Sequence, residues 1–212
     1  MGWQTEIANA LIIAVLYLII FVVAELGRYY RHIETEKTRK FVHLTSGIIA
    51  LSFGYLFKFH WTVLILCSGF ALILVITKKL DLLKSIHDVD RESKGGIYYP
   101  VAVYITFVFA SIIQKPEFYF LSILVLAISD TLAALIGKKY GFNVFRVEED
   151  TKSVEGSLIF FLMTFLILLI GLKMLTDLNI IIIILSSIYI TILVTSFEAI
   201  SLCGADNIFI PT

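Results

Sequence analysis

Asp130 stands inside an apolar run, about seven residues before Gly137. At a helical rise of about 1.5 Å per residue that is roughly 10 Å from the end of the run. A charge at such depth costs about 2.5–3.5 kcal/mol on insertion scales, so it needs a partner or a purpose. Ala133, Ala134 and Gly137 follow at i+3, i+4 and i+7, a small-residue face that lets a helix or a ligand approach closely. The next apolar run opens at Lys152, Ser153, Glu155 and Gly156. Ser153 suits a helix N-cap, and amides left free there would favour an anion, with Lys152 adding charge. Glu155 complements the helix dipole and is a further candidate for metal. A buried acid followed by a lysine at a helix N-terminus suits a metal-bound phosphate. The plainer alternative is a structural acid paired with a lysine.

Three more stretches carry groups of the same kind. The first has Glu25 near the end of an apolar run, then Arg39, Lys40 and His43 in TRKFVHLTSG, with Lys40 at i−3 and Gly47 at i+4 of the histidine. Glu25 reads equally as an interfacial acid, and Arg39 and Lys40 as interfacial cations. The second is RESKGGIYYP. Here Gly95 and Gly96 permit positive φ and close backbone approach, Arg91 and Lys94 offer charge, and Pro100 suits the first turn of a span. The preceding Asp81, Lys84 and Asp88 read as a solvated linker. The third is FEAISLCGADNIFIPT, with Glu198 at the end of a run and Asp206 and Asn207 after a glycine turn. Its plain alternative is a frayed polar tail.

Membrane spans must position these groups. The chain has 212 residues, 59% of them hydrophobic, and a mean hydropathy of +0.94, which marks an integral membrane protein with an all-α polytopic fold. Seven apolar runs are expected to cross: about 6–26, 41–57, 59–77, 97–113, 118–137, 156–175 and 179–198. They are too long, and alternate too little, for barrel strands. Fourteen basic residues fall in 28–40, 78–96 and 138–152, against Lys58, Lys115 and Lys173 in the alternate loops. By the positive-inside rule the three basic loops are cytoplasmic, which puts the N-terminus outside and the C-terminus inside. Every candidate residue then falls at or just below one face. No signal peptide is expected, since the N-terminus lacks a basic leader. Cys67 and Cys203 have no metal-type spacing, and neither a disulfide nor a catalytic thiol is expected. The whole of 1–212 reads as one domain.

The patterns R-K-x-x-H-x-x-x-G, K-G-G-x-x-Y-P, D-T-x-A-x-x-x-G-K-x-x-G…K-S-x-E-G and E-x-x-S-x-x-G-x-D-N-x-x-x-P resemble, in order, the motifs of the CTP-dependent lipid kinases. These comprise dolichol or polyprenol kinase, phytol kinase and the CTP-using diacylglycerol kinase. One departure is Thr151-Lys152, where members often carry two basic residues, and Glu148, Glu149 and Asp150 precede it. The resemblance implies transfer of the γ-phosphoryl group of CTP to a membrane lipid alcohol, with a polyprenol or dolichol-type alcohol preferred and phytol, geranylgeraniol or diacylglycerol as alternatives. It implies Mg²⁺ (or Mn²⁺) on Asp130, Asp206 and Glu198. Arg39, Lys40, Arg91, Gly95, Gly96, Lys152, Ser153, Glu155, Gly156 and Asn207 would serve the nucleotide. Asp130, His43 and Glu25 are the catalytic candidates, with the general base unassigned. The partners expected are CTP, the lipid alcohol and the bilayer, with no nucleic acid. Nucleotidyl transfer of the phosphatidate cytidylyltransferase type is a further alternative, although H-G-G-x-x-D-R-x-D is absent, as is a P-loop. A small transporter is another; it would be expected to have broken spans or acids facing both sides.

Overall fold

Nothing between Trp3 and Arg31 breaks a helix, and the segment folds as one, α1 (Trp3–Arg31). Its 29 residues exceed the roughly 20 needed to cross a bilayer, so the end bearing Arg28 and Arg31 projects beyond the apolar layer. After a short link come α2 (Thr35–Leu51), α3 (Phe53–Leu56), α4 (His60–Lys79), α5 (Lys84–His87) and α6 (Gly95–Ile112). Then α7 (Pro116–Leu124) passes through a π-helical turn (Val125–Ser129) directly into α8 (Asp130–Tyr140). Two short strands, β1 (Val144–Val147) and β2 (Asp150–Ser153), precede α9 (Val154–Leu175), α10 (Ile180–Ile200) and the short α11 (Asp206–Phe209). The computed structural model describes residues 2–88, 95–147, 150–201 and 204–212.

The all-α polytopic membrane fold expected from hydropathy is the one found. Among the described residues, six helices are long and apolar enough to cross a membrane: α1, α4, α6, the continuous α7–α8 segment Pro116–Tyr140, α9 and α10. The run expected at 41–57 is instead covered by α2 and α3. The 17-residue α2 begins six residues earlier and brings Arg39 and Lys40 into the same helix as His43. It tolerates those charges because it packs inside the bundle against α1, α5, α7 and α8. Large apolar side chains on α1, α9 and α10, such as Leu11, Leu162 and Leu185, remain outward-facing, as lipid contact requires.

Three local expectations are corrected. The stretch before α9 is not simply a loop, because β1 and β2 pair antiparallel, Phe145 opposite Lys152. Pro100 lies in the interior of α6 rather than at its first turn. Gly95 and Gly96 lie in that helix and do not take positive φ; among the described glycines Gly204 does, at φ 85. The reason is that α6 starts earlier than its apolar run, so the glycines become its first turn.

Two apolar cores hold the bundle. One joins α1, α2, α4, α6 and α7 around Phe53, Val63 and Tyr119. The other joins α7, α8 and α9 and includes Ile210 from the C-terminal segment. Thr106 Oγ1 in α6 donates to the Pro211 carbonyl at 3.3 Å. The C-terminal residues are therefore packed back into the bundle, carrying Asp206 and Asn207 with them.

Candidate active site

The π turn sets the position of Asp130. Gly47 on α2 lets that turn pack close, since a Cβ there would overlap the Ala127 side chain. Asp130 Oδ2 is then 2.6 Å from Lys40 Nζ and 3.3 Å from His43 Nε2. His43 Nε2 also lies 3.0 Å from the Leu126 carbonyl, within the π turn. A carbonyl only accepts, so Nε2 carries the hydrogen and the neutral ring keeps its lone pair on Nδ1. Tyr99 packs edge-on to the imidazole, ring centres 4.7 Å apart. π-Helical turns are often found at functional sites, and no glycine or proline in VLAIS signals this one.

Across the cleft, β2 carries Lys152. Its Nζ is 2.8 Å from Glu198 Oε1 and donates to Ser201 Oγ at 3.0 Å and to the Glu198 carbonyl. The other Glu198 oxygen accepts from Ser157 at 3.1 Å. Ser153 caps α9, accepting from Gly156 N at 3.1 Å. The Val154 amide donates to the Asn143 carbonyl at 3.0 Å. The expectation of free amides at this helix start is therefore not met, because the chain itself uses two of them. Glu155 turns away from the cleft and accepts from the Phe142 and Asn143 amides at 3.1–3.3 Å, which fixes the segment leading into the hairpin. Small residues keep α8 and α9 tight: a Cβ on Gly156 would meet the Gly137 Cα at 3.3 Å.

These groups line a polar cleft of about 850 Å³, which also includes Ala133, Ala134 and Gly137. Its cations are Arg28, Arg39, Lys40, Lys138 and Lys152; its carboxylates are Glu34, Glu36, Asp88, Asp130, Glu198 and Asp206. Most are already paired. Arg39 is clasped by Glu36, Nη2 to Oε1 at 2.7 Å, Arg28 pairs with Asp88, and Lys138 is 3.3 Å from Glu34. The Asp206 carboxyl is held above the usual carboxylate range, by desolvation first and by the charge of Asp130 second. A second cavity of about 420 Å³ lies among α1, α2, α4 and α6, with Phe21, Phe53, Phe70, Leu74 and Val103 in its wall. Arg39, His43 and Asn207 line both spaces. An apolar chamber and a charged one thus meet at a histidine.

No family model matches the sequence, and no solved structure matches it. The chain is 30% identical to phytol kinase from Synechocystis sp. over 176 residues, 83% of this chain and 75% of that protein. The chain belongs to the phytol kinase family of integral-membrane lipid kinases. Within this lipid-kinase chain, the cleft brings together Arg39, Lys40, His43, Asp130, Lys152, Ser153, Gly156, Glu198, Asp206 and Asn207. Gly95 and Gly96 line the apolar cavity instead. Glu25 lies apart from the cleft lining, its Oε2 accepting from the Ser85 amide at 3.0 Å, and ties α5 to α1. Arg91, Lys94, Glu148, Glu149 and Cys203 lie outside the described residues.

Sequence reasoning gave no role to Glu36, Asp88, Ser157, Ser201 and Tyr99. Asp88, exposed as a linker residue is expected to be, also lines the cleft and pairs with Arg28, because α5 folds back on α1. Glu36 at i−3 of Arg39 was readable as a helical ion pair. Tyr99 was readable from its place in K-G-G-x-x-Y-P. Ser201 was readable in the same way from E-x-x-S-x-x-G, whereas Asp88 and Ser157 needed the fold.

Among the described residues no three His, Cys, Asp or Glu gather as a ready-made metal site. Glu198 is committed to Lys152 and Ser157 through both oxygens. Asp130 and Asp206 face one cleft and repel each other. Mg²⁺ commonly takes one or two carboxylates plus phosphate oxygens, so the Asp130–Asp206 pair fits such an ion.

Proposed function

We propose that this protein phosphorylates an isoprenoid alcohol of the phytol or geranylgeraniol class, using CTP and Mg²⁺, at the junction of the charged cleft and the apolar cavity. The observation that carries the reading is that junction. His43 lines both the charged cleft and the apolar cavity, and the π-turn carbonyl fixes its tautomer. The relative's name points to phytol, and a cavity of about 420 Å³ is of the size that takes one compact ligand. A long polyprenol would have to leave it.

Most of the cleft's charges are paired with one another. A metal–triphosphate complex would bring both signs: Lys40, Lys152 and Arg39 would hold phosphate oxygens, and Asp130 and Asp206 would hold the cation. The cation would neutralise developing charge on the transferred group. The chain's own residues do the remainder. Lys40 and Lys152 orient the phosphates, the apolar wall delivers the alcohol and excludes water, and His43 Nδ1 takes the hydroxyl proton. The alcohol oxygen bonds to the γ-phosphorus as the bond to the β–γ bridging oxygen breaks, and CDP leaves with that oxygen. The fourteen-to-three charge bias favours a cytoplasmic cleft, where nucleotide is available.

The test is purified protein with labelled CTP or ATP and a panel of phytol, geranylgeraniol, polyprenol and diacylglycerol. Lipid monophosphate and CDP are expected, with the twenty-carbon alcohols best. A CDP-lipid with pyrophosphate would replace the reading with nucleotidyl transfer. ATP preferred over CTP would overturn the donor.

A further inference from the structure

The apolar cavity has a direction. α2 and α6 run inward from the cleft end, and α1 and α4 run toward it, so each gives an independent depth order. Along these helices Phe21, Arg39, Lys78 and Gly95 lie toward the cleft end, and Tyr17, Phe53, Cys67 and Val103 toward the far end. That far end is closed. Phe53 is 1% exposed, Val103 2%, Cys67 and Tyr17 6% each. Tyr17 is held by its hydroxyl, which donates to the Ser46 carbonyl at 3.1 Å, and by its ring against Phe70, centres 4.2 Å apart. From His43 to Phe53 is ten residues along a nearly continuous helix, about 15 Å. An extended carbon chain advances about 1.2 Å per bond, the rate at which a peptide backbone extends. The space below His43 therefore takes about three isoprene repeats, with the hydroxyl repeat at the junction.

We propose that Phe53, Cys67 and Val103 are a floor that sets acceptor chain length, admitting prenols up to about twenty carbons and disfavouring longer ones. This rests on the isoprenoid-alcohol reading above. In a packed interior an added ring has nowhere to go but into the cavity. Val103 and Cys67 are on different helices, so a shared effect would come from the cavity and not from one local distortion.

The experiment measures kcat/KM for ten-, twenty- and thirty-carbon prenols in wild type, Cys67→Phe, Val103→Phe and Phe53→Ala. Raising the floor should increase the ten- over twenty-carbon ratio at least tenfold in both phenylalanine variants. Phe53→Ala should raise the thirty- over twenty-carbon ratio by a similar factor. A ratio is insensitive to the fraction of folded enzyme, and Cys67→Met is the milder change if Cys67→Phe does not accumulate. Ratios within twofold of wild type in the filled variants would overturn the floor while leaving the kinase reading intact. Wild-type protein that phosphorylates diacylglycerol but no prenol would overturn both.

Discussion

Glu6 and Asp130 are both buried carboxylates in membrane helices, at opposite ends of the bundle, with exposures of 0% and 5%. Glu6 is closed off by neutral donors: the Lys58 amide at 2.9 Å and Thr62 Oγ1 at 2.8 Å. Neither cavity reaches it. Asp130 is held by Lys40 and His43 and borders the open cleft. Burial of an acid is therefore not the mark of a site here. Glu6 ties the start of α1 to the α3–α4 link, as a capping side chain ties a turn. Asp130 has a charged partner, Lys40, that can be exchanged and room for something to exchange with. The presence of Glu6 also means that buried acids do occur at both ends, the pattern expected of a transporter; its hydrogen bonds to neutral donors give it a structural role instead.

The comparison breaks most sharply at Asp130. Asp130→Asn keeps the shape but loses the charge, and transfer should fall at least about a hundredfold to a thousandfold, with the protein still inserting and purifying. Wild-type turnover in this variant would make Asp130 a second Glu6. Next in size is Lys152→Ala. It removes the cation paired with Glu198 and should raise the nucleotide KM by about tenfold or more, one charge-assisted contact, while the KM for the alcohol stays within twofold. Equal changes in both constants would make Lys152 a packing residue.

Glu6 should respond in the opposite sense. Glu6→Ala leaves the Lys58 amide unsatisfied and should cost about 1–3 kcal/mol, read as a lower melting temperature in detergent. Its kcat/KM, measured on the folded fraction, should match wild type. A selective loss of activity at unchanged melting temperature would contradict the structural role.

The difference between these two acids was only half legible in the sequence. Asp130 stood out through its depth and the small residues after it, since both are one-dimensional signals. Glu6 sat near the start of an apolar run, where an acid looks interfacial; its donors come from Lys58 and Thr62, far along the chain. The helices were legible for the same reason as Asp130: apolar length is local. The start of α2 was not, because its first turns are charged and only packing against α1, α5 and α8 makes them interior. Ion-pair choices such as Lys40 with Asp130 and Lys152 with Glu198 depend on helix adjacency, which no spacing encodes. The same adjacency explains why Glu155, well placed in sequence for metal, points to the Phe142 and Asn143 amides.

The smallest expected effect is at the cleft mouth. Glu34 faces Lys138 at 3.3 Å and Lys37 at 3.6 Å, and all three side chains are more than half exposed. The Glu34 carboxyl is held below the usual carboxylate range, by the hydrogen bond from Lys138 first and then by the charges of Lys138 and Lys37. A lowered folded value means that any stabilisation is present above the unfolded value, about 4.3, and is lost as pH falls through the folded value. Solvent screens such a pair at physiological ionic strength, where the Debye length is about 8 Å. Glu34→Gln should therefore leave the melting temperature unresolved from wild type at neutral pH in physiological salt. A small decrease should emerge only at low ionic strength and only above about pH 5, that is, above the unfolded range. Activity should stay within twofold. A tenfold loss of kcat/KM for nucleotide in Glu34→Gln would instead place the Glu34–Lys138 pair with Asp130, as part of what the incoming phosphates must displace.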